Sequence, residues 1–186
     1  MPKQATKTNA AMASHKPKEK RSVKRTRKLT GSLDAETFMK ELEKHTDAAK
    51  LSKALAMLKA DRFKLYAQVA DDFLTGVVKS QNDPNLVYSC RLAADGSYGC
   101  CTQNLNICGG LRGSLCKHLL VLIVGLSKSG ELDPTTVYGW IEGSRGQKPA
   151  LDKDIMSETF LRYKGAEAGE VDWRPTETIP EDYYAM

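Results

Sequence analysis

No run of eighteen apolar residues occurs in this 186-residue chain, whereas about 20 are needed to cross a bilayer. The N-terminus also lacks the apolar core of a secretory signal. These two absences point to a protein of a reducing interior, cytoplasmic and without membrane association. Histidine is scarce, at three residues. There is no Cys-x-x-Cys redox motif, no His-x-Glu pair of the zinc-hydrolase kind, no phosphate-binding Walker loop and no nucleophile elbow. Without them the commoner signatures of dithiol, hydrolytic and nucleotide-driven chemistry are missing, and the chain reads as a non-enzyme.

The net charge of +5 averages two unlike regions. Residues 1–30 hold ten of the 28 Lys and Arg but one of the 23 acids, which leaves 18 basic against 22 acidic residues in the remainder. Residues 1–31 have almost no large apolar side chains and read as a disordered basic tail, since such a segment buries too little surface to offset its ordering entropy. A tail of this kind can hold nucleic acid through phosphate contacts. The remainder is mildly acidic, which favours a protein partner for it.

From residue 32 the pattern becomes that of an α+β fold. Residues 32–60 place Phe38, Leu42, Leu51, Leu55 and Leu58 at helical spacings after a cap at Ser32 or Asp34, predicting one long helix or two short ones. His45 follows Glu43 and Lys44 and is expected on a solvent-facing side. Between residues 61 and 102, β-branched and aromatic runs are broken by Asp71-Asp72, Asn82-Asp83-Pro84 and Asp95-Gly96. That turn chemistry predicts an antiparallel β-meander with strands near 63–69, 73–79, 86–93 and 97–102. "CKHLLVLIVGLSKSG" predicts a buried helix with a glycine stop at Gly130. Asp133 and Pro134 predict the start of a further helix within residues 131–168, and "DKDIMSETFLRYKGAEAG" predicts another. Residues 169–186 form an acidic, proline-broken tail with Trp173, Tyr183 and Tyr184 as anchors.

The five cysteines crowd into residues 90–116. That clustering favours metal binding over a disulfide framework. Cys101, Cys108, Cys116 and His118 read as C-x6-C-x7-C-x-H. Three thiolates and an imidazole suit tetrahedral Zn2+, and four protein ligands make a closed, structural site. Cys116 falls at the start of the apolar helix, where free N–H groups favour a thiolate. "GGLRG" supplies glycines that let the chain wrap closely around a metal. If Asp95-Gly96 is a two-residue turn, Ala94 pairs with Ser97 and Cys90 lies opposite Cys101, which makes Cys90 the rival fourth ligand. Strand alternation sends Cys100 to the other face from Cys101, so Cys90 and Cys100 are expected to be buried, hydrophobic thiols.

The meander, the cysteines and the "CKHLL" entry into an apolar helix resemble the SWIM-type zinc finger over residues 61–130. That family holds zinc with Cys-x-Cys and a later Cys-x-His. Carried over, the ending implies Cys116 and His118 as ligands, while the first pair departs from the pattern with adjacent Cys100-Cys101 and a separate Cys108. The "CCTQNLNICGGLRG" insertion is similar to a variant form in bacterial proteins associated with MoxR-type ATPases and von Willebrand A domain proteins. The resemblance implies a zinc module for protein–protein or nucleic-acid interaction, with a MoxR-type ATPase or von Willebrand A protein as partner. The alternative reading is a thiol redox sensor built on the cysteine cluster, with Cys100-Cys101 as the reactive pair.

Overall fold

The computed structural model describes residues 33–60 and 64–168. The tails expected at 1–31 and 169–186 lie outside the described residues.

Two helices open the described chain, α1 (Ala35–His45) and α2 (Ala48–Lys59). Each begins on an aspartate: Asp34 accepts from the Thr37 N–H at 2.7 Å, and Asp47 from the Lys50 N–H at 3.0 Å. Caps of this kind contribute about 1 kcal/mol each. The second cap is why the segment forms two helices instead of one. Phe38, Leu42 and Leu51 are buried as the spacing predicts.

Four strands follow, β1 (Lys64–Val69), β2 (Phe73–Lys79), β3 (Val87–Ala93) and β4 (Tyr98–Thr102), in an antiparallel sheet of order β1-β2-β3-β4. The meander is therefore as expected, but the register of its last hairpin is not. Ala93, not Ala94, closes on Ser97, with its N–H donating to the Ser97 carbonyl at 2.9 Å. The loop is Ala94-Asp95-Gly96, with the Gly96 N–H returning to the Ala93 carbonyl at 2.9 Å and Gly96 at φ 81°. This is the three-residue connection that ends on a left-handed residue. One extra loop residue shifts the pairing by one: Cys90 faces Cys100, and Ser89 faces Cys101.

Both faces of the sheet are covered. Helix α3 (Lys117–Ser129) lies on one face and α5 (Lys153–Glu167) on the other, with α2 packed on α3 and α4 (Pro134–Ser144) against α1. Because side chains alternate across a strand, Leu74, Cys90, Leu92, Tyr98 and Cys100 join the core around α3, while Tyr66, Val77 and Cys101 pack with Met156 and Phe160 of α5. Residues 118–124 of α3 are all buried, so that helix is apolar all round because it is enclosed all round. It stops at Gly130, φ 78°. No helix among the described residues is long and apolar enough to cross a membrane.

Candidate metal centre

After Thr102 the chain doubles back on β4. The Thr102 N–H donates to the Asn106 carbonyl, Leu105 takes φ 58°, Ile107 bridges to Cys101, and the Cys108 N–H donates to the Cys100 carbonyl at 2.9 Å. This fold-back sets Cys108 beside Cys100. A 3-10 turn at Gly109–Leu111 then bends the chain towards α3. A glycine within it keeps the approach close, since a Cβ on Gly110 would lie 3.1 Å from Cys116 Cβ and 3.5 Å from Cys108 Sγ and would crowd the two cysteines. Cys116 is the N-cap of α3 and uses its side chain for no capping bond, which leaves the sulfur free to turn inward. His118 follows in the first turn.

The result is a buried group of four, Cys100, Cys108, Cys116 and His118, whose ligand atoms all lie within 4.8 Å of one another. Three of the expected ligands are brought together. Cys101 is not: it sits on the α5 face with Met156, and Cys100 takes its place. The correction follows from the hairpin register and from the fold-back, which returns Cys108 to the α3 face where Cys100 points. Cys90 is not in the four either, although its Sγ lies 3.6 Å from that of Cys100.

The spacing fits a tetrahedral ion. Bonds of about 2.3 Å to sulfur and 2.0–2.1 Å to nitrogen imply S···N edges of about 3.5 Å. His118 Nδ1 stands 3.6 Å from Cys108 Sγ and 3.8 Å from Cys100 Sγ. Nδ1 is therefore the nitrogen placed to ligate an ion. Tyr88 stacks on the imidazole, centroids 3.8 Å apart and planes 19° from parallel, and holds the ring in that orientation. Nothing in the sequence marks Tyr88 for this role, because the contact joins β3 to α3.

The protonation of the cluster also suits a cation. Burial pushes the thiols of Cys100 and Cys116 well up, whereas hydrogen bonds from those two pull Cys108 down. Without a counter-charge, the burial of Cys100 and Cys116 opposes a full set of thiolates. A dication is what lets all three ionise. Cys101, away from the group, is simply raised to about 11 by burial.

Cations frame the loop. Lys50 Nζ donates to the Arg112 carbonyl at 3.1 Å and to Ser114 Oγ at 2.9 Å, tying α2 to the metal loop. Lys117 Nζ reaches Gln81 Oε1 at 3.1 Å, and burial followed by the charge of Lys53 holds its ammonium below the usual range. His45 is not part of the centre, and it is not solvent-facing as expected. Its Nε2 lies 2.9 Å from Tyr138 Oη and 3.1 Å from Glu142 Oε1, and its side chain is 14% exposed. Both partners come from α4, which the local pattern around His45 cannot reveal.

No protein-family model, curated protein or solved structure matches the chain. Fold and site together define an α+β protein with a buried Cys3His group able to bind a metal.

Proposed function

We propose that the protein is a non-enzymatic zinc module of the SWIM type, in which the metal fixes a surface for binding another macromolecule. The donor set carries this reading: Cys100, Cys108, Cys116 and His118 place four ligand atoms within 4.8 Å of one another, and an ion held by all four would have no position left for water or substrate. Three thiolates and one imidazole favour zinc among the common divalent ions. Zinc bound here supplies a fixed dication that joins strand, loop and helix.

The contact surface of this proposal is the metal loop with its flank on α2. It offers Ile107, 62% exposed, and carries Arg112 in the loop, Lys117 at the start of α3, and Lys50 and Lys53 on α2. None of these four cations takes part in an ion pair between described residues. An exposed apolar residue together with cations that make no ion pair among the described residues suits a protein with an acidic face. A MoxR-type ATPase or von Willebrand A protein is the partner that the SWIM resemblance implies.

Elemental mass analysis of protein purified under reducing, chelator-free conditions tests the centre. One zinc per chain is expected, and protein without metal overturns the reading. A salt-dependent DNA-binding assay with and without residues 1–30 tests the partner class. Binding that disappears with the basic segment leaves the zinc domain as a protein-contact module; binding that survives redirects the surface to nucleic acid.

A further inference from the structure

Four cysteines, Cys90, Cys100, Cys108 and Cys116, share the core on the α3 side with a site that needs three. Cys90 stands on β3 directly opposite Cys100 on β4, and both are fully buried. Ala93 and Ser97 share a ladder hydrogen bond, and such pairs recur at every second position of an antiparallel ladder. Positions 91/99 and 89/101 therefore carry the next bonds, and 90/100 is a non-hydrogen-bonded pair. Consistently, the Cys100 carbonyl is turned away from β3 to the Cys108 N–H, at 2.9 Å. In such a pair the α-carbons are about 4.5 Å apart and the side chains approach most closely. That separation lies within the roughly 4.4–6.8 Å span of natural disulfides. The two sulfurs, 3.6 Å apart, reach a bond of about 2.05 Å by side-chain rotation, without moving the backbone.

We propose that Cys90 and Cys100 form a reversible cross-strand disulfide, a modification site that withdraws Cys100 from the metal and opens the centre under peroxide. The consequence for metal rests on the zinc reading above; the disulfide itself does not. Hydrogen peroxide is the oxidant. Cys108, 7% exposed where the other four cysteines are 0%, is the point of entry. Its thiolate attacks peroxide, becoming a sulfenic acid and releasing hydroxide. The Cys100 thiolate displaces hydroxide from that sulfur, giving a Cys100–Cys108 disulfide. Cys90 passes its proton to hydroxide, forming water, attacks the Cys100 sulfur and expels Cys108 as thiolate. In sum, Cys90 and Cys100 lose two electrons, and the peroxide oxygens leave as water and hydroxide. Cys108, Cys116 and His118 remain, one ligand short of a closed site.

The test uses the full-length chain loaded with zinc and treated with graded hydrogen peroxide. Released zinc is followed with a chromogenic chelator, and linkages are mapped by alkylation under denaturing conditions and peptide mass spectrometry. Zinc release should parallel the loss of alkylation at Cys90 and Cys100, with a Cys90–Cys100 peptide pair and with alkylation at Cys101 unchanged. Dithiothreitol and fresh zinc should restore the starting state. Cys90→Ala should keep one zinc per chain and accumulate the Cys100–Cys108 disulfide instead. Zinc release from the unsubstituted chain with Cys90 still fully alkylated overturns the proposal. If the purified chain holds no zinc, the module reading fails, and the same mapping on the metal-free chain still decides the disulfide.

Discussion

Cys100 and Cys101 are adjacent in the chain and face opposite sides of the sheet, so a single substitution at each separates their roles. Cys100→Ser should abolish stoichiometric zinc, weakening affinity by more than about 100-fold, the upper range for loss of a mere outer-shell partner. Cys101→Ser should keep one zinc per chain and lose about 1–3 kcal/mol of stability from a hydroxyl placed among Met156, Tyr66 and Phe160. Zinc stoichiometry and a urea melt on the two variants check both statements. The reverse pattern would restore the ligand set expected from sequence. The alternation that parts the two cysteines was legible in the sequence; which of them joins the Cys3His group was not. That choice depends on a single loop residue, because a register slip of one moves every side chain to the other face. The one clue was Asp95, whose carboxylate accepts from the Ser97 N–H at 2.8 Å and so helps to set the longer loop.

At the scale of elements, the β3–β4 hairpin carries the register and Gly96 carries the hairpin. A Cβ on Gly96 would lie 2.3 Å from the carbonyl carbon of Gly143 in α4, at a φ that side chains rarely adopt. Gly96→Ala should therefore destabilise by about 1–3 kcal/mol from the backbone conformation alone, with the clash adding to it. The loss is to be read from the shift of a denaturant midpoint. Capping aspartates, turn dipeptides and the glycine stop are local chemistry, and they made helices and strands readable to within a few residues. Contacts between elements were not readable in that way. His45 sits on a charged stretch of sequence, yet it is held by Tyr138 and Glu142 from a helix about ninety residues on.

At the scale of the molecule, the metal group is embedded in the same core as α3, with Leu119, Leu122 and Ile123 packed beside the strands that carry Cys90 and Cys100. Metal removal should loosen the protein without unfolding it at room temperature. A ligand at 1,000 times its dissociation constant stabilises by about 4 kcal/mol, and each kcal/mol is worth about 2–4 °C in a chain of this size. Chelation should lower the melting temperature by about 8–16 °C in a thermal melt. Acid should act in the same direction. Burial keeps the Cys100 and Cys116 thiols protonated in the metal-free state, so binding displaces protons from both. Affinity then falls about 100-fold for each unit of pH lost, and the chelator-induced shift should vanish as the pH approaches about 5.

The fold-back that carries Cys108 has a second role. β4 is the last strand of the sheet, and its outer edge is occupied by this loop through the Thr102–Asn106 and Cys100–Cys108 backbone bonds, with Ala150 bonded to Tyr98 farther along. The metal loop is thus a lid on an open strand edge. Wherever the loop lets go, the freed N–H and C=O groups become a template for pairing with another chain. A loop that stays in place therefore also shields this edge from pairing with another chain.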